Sequence, residues 1–141
     1  MKIYNGEKMI LGRLAARVAK DILMGEEVAV VNSEKIVISG AKINTFADAK
    51  QKRGWGGHPA RRQTHSRLPE RWVRRSIRGM LPWKQARGKE AFKRVMCYRG
   101  IPASFAGQEM ITLKDASVSK LPNLKYTTIG EMCRHVGGKV A

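Results

Sequence analysis

Acidic residues are scarce in this chain: 11 Asp and Glu stand against 28 Lys and Arg, a formal net charge of +17 with an isoelectric point near 10.6. A surface so short of negative charge calls for a polyanionic partner. Cysteine is nearly absent. Cys97 and Cys133 have neither CxxC spacing nor the number of a disulfide scaffold, which points to a reducing compartment. Together with His58, His65 and His135 they show no recognised metal-ligand spacing, so no metal is expected. Long apolar runs are missing too. The longest span only a few residues, as at 28–31, so neither a membrane-spanning segment nor a signal peptide is expected and the protein reads as soluble and cytoplasmic.

What is present fits one folded unit. A chain of 141 residues, 43% hydrophobic and 28% charged, is the size of a single domain with one ordinary core. Ile3 and its neighbours suit a short strand, Asn5-Gly6 a turn, and Leu11, Leu14, Ala15, Val18 and Ile22 recur at helical spacing over about 12–24. Gly25 then stops the helix. Val28-Ala29-Val30-Val31 and Ile36-Val37-Ile38 are uninterrupted apolar runs of the kind found in strands buried on both faces, which favours a parallel sheet. A second amphipathic stretch through Ile43, Phe46 and Ala47 ends near Gly54.

The stretch 54–68 reads as a loop, with three glycines, Pro59 and no apolar periodicity. From Pro69 a helix resumes, with Trp72, Val73, Ser76, Ile77, Met80 and Leu81 on one side and Arg71, Arg74, Arg75 and Arg78 on the other. Pro82 ends it. Gly88, Ala91, Phe92 and Val95 suggest another helix, and 95–98 a last strand. Beyond lies a stretch richer in Ser, Thr, Gly and Pro, in which Thr128 and Glu131 have capping-box spacing before a short helix stopped by Gly137. The alternation of strands and helices predicts a three-layer α/β/α domain with a mostly parallel, four-stranded sheet, a basic loop–helix insertion and a short C-terminal extension. The core is expected over about 1–102, and the extension over about 103–141 as a tail packed on it.

The charge is concentrated. Residues 50–99 hold 16 Lys and Arg against only Glu70 and Glu90, leaving +14 of the +17 in that window. Arginines on one helical arc can each reach a phosphate and can stack on bases. A solvated cationic face is the bland alternative, but Lys52, Arg53, Arg61, Arg62, Arg67, Lys84, Arg87, Lys89, Lys93, Arg94 and Arg99 flank the arc and extend it into one candidate RNA-binding surface. Trp55, His58, His65, Trp72 and Trp83 are interleaved with these cations and can stack on unpaired bases, a habit of RNA binders more than of duplex DNA readers. Trp72 belongs to the apolar side and is expected in the core, whereas Trp55, between glycines, is the better stacking candidate.

Catalysis finds little support. Gly6 and Gly12 flank the turn before the first helix, but neither GxGxxG nor GxxxxGK[ST] occurs, so a nucleotide-binding or RNA-modifying enzyme is the rival and not the expectation. Glu26, Glu27, Glu34 and Asp48 sit at element margins with no paired nucleophile and base. A basic amphipathic helix can also lie on anionic lipid, but here it belongs to a wider basic region of a folded domain.

Three ordered segments resemble a known family: Ile10-Leu11-Gly12-Arg13-Leu14-Ala15, then Val30-Val31-Asn32-Ser33-Glu34-Lys35-Ile36-Val37-Ile38-Ser39-Gly40, then Arg78-Gly79-Met80-Leu81-Pro82 with Arg87-Gly88 beyond. Tyr98-Arg99-Gly100-Ile101-Pro102 and Leu124-Lys125-Tyr126-Thr127-Thr128-Ile129-Gly130-Glu131 carry the likeness to the C-terminal end. They resemble the universal large-subunit ribosomal protein thirteen family, its archaeal and eukaryotic branch in particular. The chain departs from it at Trp83, where many relatives carry His, and matches only loosely over 54–66. The resemblance implies a four-stranded parallel sheet and a structural, non-enzymatic constituent of the large ribosomal subunit. Its implied partners are large-subunit 23S-type rRNA and neighbouring ribosomal proteins, with no cofactor, no membrane and no small-molecule substrate.

Overall fold

The first strand, β1 (Lys2–Asn5), runs into a turn whose Gly6 has no room for a side chain: a Cβ there would lie 2.6 Å from Ile36 Cγ1 and 2.8 Å from the Val31 carbonyl oxygen. That close approach feeds the chain into α1 (Leu11–Leu23), which buries Leu14, Ala15, Val18, Ala19 and Ile22, the stripe its periodicity predicts. Gly25 follows with φ +101°, a conformation that glycine adopts without a steric penalty. The computed structural model giving these positions describes residues 1–58 and 65–140.

Strand β2 (Val28–Val31), buried at every residue, is the middle of a parallel sheet in which it pairs with β1 on one side and β4 (Val95–Cys97) on the other. Central position and two covered faces explain why its sequence is apolar throughout. Among the described residues this sheet has three strands instead of the expected four. The run at 36–38 does form a strand, β3 (Val37–Ser39), but β3 pairs antiparallel with β5 (Tyr126–Thr128) in a separate two-stranded ribbon. Asn32 takes a left-handed backbone (φ 54°) and a 3-10 turn over Ser33–Lys35 redirects the chain between β2 and β3. Ile36 and Val37 are fully buried all the same. Burial produced the apolar run, and burial does not report which sheet a strand joins.

Tyr4, Val28, Val30, Val95 and Cys97 face the larger core, which they share with α1 and with Val73 and Ile77 of α3 (Pro69–Gly79), Ala91 of α4 (Ala86–Lys93) and Ile129, Met132 and Cys133 of α5 (Ile129–His135). Ala49 of α2 (Lys42–Gly54) joins the same cluster. On the other face Ile3, Ala29 and Val31 are covered by Phe105 with Tyr98 and Met110, a 3-10 turn and extended chain. Thr128 caps α5 as its spacing predicts, its hydroxyl accepting the Glu131 N–H at 3.2 Å. The C-terminal stretch therefore supplies core residues as well as surface.

One buried charge belongs to this scaffold. Asp21, 3% exposed, lies on the inner side of α1 and accepts a hydrogen bond from the Tyr4 hydroxyl. Lys2 and Arg17 each approach its carboxylate to 3.7 Å. Burial and the adjacent carboxylate push the Tyr4 phenol above its ordinary range, so it remains a donor at all moderate pH.

Candidate nucleic-acid interface

Val73 and Ile77 anchor α3 in the core, and the 3.6-residue period then turns Arg71, Arg74, Arg75 and Arg78 outward. What lies opposite them is fixed by Gly88. A Cβ at that position would fall 2.3 Å from the Pro82 carbonyl oxygen, so α4 can start hard against the end of α3 only because this residue is glycine. The close start sets Phe92 and Trp83 edge to face, ring centroids 5.2 Å apart. Arg74 lies 4.6 Å above the Phe92 ring and Arg78 5.1 Å above the Trp83 ring. Guanidinium over an aromatic face is a favourable arrangement that also fixes the plane of the cation.

These groups line a groove of about 360 Å³ whose walls include Arg71, Trp72, Arg74, Arg75, Arg78 and Phe92. Among the described residues no carboxylate forms a salt bridge with Arg71, Arg74 or Arg78. The Arg74 Nε is buried without a hydrogen-bond acceptor among the described residues. Concentrated cations beside aromatic rings, with Arg71, Arg74 and Arg78 in no salt bridge among the described residues, suit a phosphate-bearing ligand.

The remaining sequence-predicted residues divide. His65 is buried, 6% exposed, with its ring centroid 5.4 Å from that of Trp72 and 6.1 Å from that of Trp55. Burial, and then the nearby charges of Arg75 and Lys52, hold its pKa below the ordinary histidine range. Its place is in the packing, and its faces are not available to a base. Its carbonyl accepts from Arg53 at 2.7 Å, and the Ser66 carbonyl accepts the Trp72 indole N–H at 2.6 Å, which ties this segment to α2 and α3. Trp72 is half-buried accordingly, whereas Trp55 is 54% exposed. His58 is exposed, and Arg61 and Arg62 lie outside the described residues.

Further cations are engaged with the protein itself, as Arg53 is. Arg94 donates to the Ile22 carbonyl at 3.2 Å, closing the C-terminal end of α1; Arg67 reaches the Gly137 carbonyl at 3.4 Å; and Arg99 sits 3.6 Å from Glu70 and 3.4 Å from the Lys139 carbonyl. Lys52 pairs with Asp48 one turn back at 3.0 Å. Lys84, Arg87, Lys89 and Lys93 are exposed, and Arg87 lines a shallow cavity with Lys20 and Leu23 of α1. The part sequence reasoning missed is Phe92, which reads as a helix core residue; its signal was an aromatic set among Lys89, Lys93 and Arg94.

The features that would have pointed to an enzyme have structural uses. The Glu34 carboxylate accepts the Gly100 N–H at 3.1 Å, and Ile36 fills the space beside Gly6. Burial pushes the Cys97 and Cys133 thiols up to about 12, so both stay protonated and unreactive. Among the described residues no cluster of His, Cys, Asp and Glu is arranged to hold a metal, and no helix is long and apolar enough to cross a membrane.

The chain is similar to known proteins along nearly its whole length. The chain is 41% identical over 139 residues to the large ribosomal subunit protein uL13 of Methanococcoides burtonii, an alignment covering 99% of both chains. It is 42% identical over 137 residues to that of Methanopyrus kandleri, with 96% of this chain and 86% of the relative covered, and 39% identical over 142 residues to that of Methanocaldococcus jannaschii, with 99% of each covered. The family profile described as ribosomal protein L13 matches residues 1–104. With three-quarters of its length inside that profile and full-length relatives near 40% identity, the chain belongs to the ribosomal protein L13 family, whose members are structural and not catalytic.

Proposed function

We propose that this protein is a structural constituent of the large ribosomal subunit, working in the cytoplasm, that binds and stabilises folded 23S-type rRNA through the α3–α4 face. The observation that carries this is the arginine groove, where four guanidinium groups share one opening with aromatic rings. Fixed cations offset phosphate repulsion where RNA helices come close, and because they are held by a folded scaffold they do so at defined points. Lys84, Arg87 and Lys93 extend the surface, Trp55 and His58 offer exposed rings beside it, and Arg67, Arg94 and Arg99 hold its supports in place. Neighbouring large-subunit ribosomal proteins are the second class of partner. The chain acts as one domain, core about 1–102, with 103–141 as an extension packed on it.

The test is sedimentation of a native lysate through a sucrose gradient at low magnesium, combined with binding of the purified protein to a large-subunit rRNA fragment across salt concentrations. The protein is expected in the large-subunit peak after a moderate salt wash. With roughly six to ten phosphate contacts, affinity for the fragment is expected to fall on the order of a thousandfold or more between 50 and 200 mM salt. Recovery only at the top of the gradient, or affinity independent of salt, overturns the proposal.

A further inference from the structure

We infer that the groove between α3 and α4 is a built site for a single RNA backbone phosphate, with Arg74 and Arg78 as its fixed donors. The inference rests on the RNA-binding proposal and adds that affinity is localised at one pocket instead of spread over the basic face. An arginine on a helix surface normally samples many rotamers, and ordering it costs conformational entropy at the moment of binding. Here that ordering is completed during folding. Arg74 is stacked on Phe92, Arg78 on Trp83, and the two rings brace each other edge to face. A planar guanidinium held in one plane presents its N–H fork in one direction, the geometry that matches two oxygens of a phosphate.

The Arg74 Nε is withdrawn from solvent and has no acceptor among the described residues. A buried N–H of a charged group is expensive to leave unpaired, and the part of the Arg74 guanidinium that opens on the groove is where a phosphate oxygen can offset that charge. Arg71 and Arg75 open on the same groove, so the mutual repulsion of like charges is relieved by an anion there. The groove, at about 360 Å³, is larger than a phosphate alone, and Phe92 and Trp72 give it an apolar wall. That combination suits a phosphodiester carrying its sugars, and the RNA backbone is the source to which we commit.

Charge-conserving substitutions separate a built site from diffuse attraction. Arg74→Lys and Phe92→Leu both leave the net charge at +17, the first removing the guanidinium fork and the second the ring beneath it. Binding of the full-length variants to an rRNA fragment at fixed salt is expected to weaken on the order of tenfold for each, with the salt slope nearly unchanged. Lys93→Gln, which removes an exposed charge outside the groove, is expected to weaken binding less. Inorganic phosphate, compared with chloride at equal ionic strength, is expected to raise the thermal midpoint of the wild-type protein and not of Arg74→Lys. Wild-type affinity in both charge-conserving variants, or loss that follows net charge alone, overturns the site. Absence of any RNA binding by the wild-type protein overturns the function proposal instead, and the phosphate-dependent midpoint then decides the site by itself. Should Phe92→Leu unfold, Arg74→Lys carries the test, since it replaces a half-exposed side chain.

Discussion

Two helices of this protein carry cations in opposite circumstances. On α1, Arg17 with Lys2 of β1 surrounds a carboxylate, Asp21, which is buried and also held by the Tyr4 hydroxyl. On α3, Arg74 and Arg78 lie on aromatic rings, and Arg71, Arg74 and Arg78 form no salt bridge with a carboxylate among the described residues. The first group is neutralised inside the fold and ties β1 to α1. The second is rigid but electrostatically unfinished. Composition alone makes them equivalent, since both are Lys and Arg; the location of counter-charge distinguishes a cation that builds the fold from one that awaits a partner.

The largest effect should come from removing the arginines that line the groove. Replacing Arg71, Arg74, Arg75 and Arg78 with Gln is expected to weaken binding to an rRNA fragment by on the order of a hundredfold or more, with the slope of log affinity against log salt shallower by up to roughly three to four. Urea unfolding should move by only about 1–2 kcal/mol, from loss of the two ring contacts. Collapse of the fold in this variant would show that α3 belongs with α1 in the structural class. The converse experiment is Asp21→Ala, which removes the acceptor of the buried Tyr4 hydroxyl and a carboxylate that Lys2 and Arg17 share. It is expected to cost about 2–3 kcal/mol in urea unfolding and to leave the salt slope for RNA unchanged.

A smaller test concerns whether the C-terminal stretch is part of the scaffold. Thr128→Ala removes the N-cap of α5 and should cost about 1 kcal/mol, measurable as a lower urea midpoint; no change would make α5 peripheral to the fold. The mildest concerns His65. Its folded pKa is lowered by burial and by Arg75 and Lys52, so as pH falls through the ordinary histidine range the unfolded chain takes up a proton before the folded one does. Stability contributed here is thus full above pH about 6.5 and declines as pH drops toward the depressed folded value. His65→Gln should flatten stability against pH between 7 and 5, and an unchanged profile would assign any decline to other groups.

Much of this was legible in the sequence where a local period or a steric rule was at work. The α1 stripe, the Thr128 cap, the stop at Gly25 and the cationic arc of α3 all follow from spacing and backbone freedom. The fate of individual cations was not. Arg94, Arg67 and Arg99 look like members of the same basic surface, yet each hydrogen-bonds a carbonyl far away in sequence. His65 and Trp55 have comparable polar surroundings in sequence, but one is buried and the other exposed.

The basic character of the protein, its α/β class, the helices with their inward faces and the stretch that carries most of the positive charge all follow from composition and from periods of a few residues. Tertiary structure decided that β3 leaves the parallel sheet for β5, that Asp21 is enclosed by Tyr4, Lys2 and Arg17, and that Phe92 and Trp83 come to lie beneath Arg74 and Arg78. Each of these joins separate elements of the chain, and the energy that selects among such pairings lies in burial and close packing, which a local pattern of residue types does not specify.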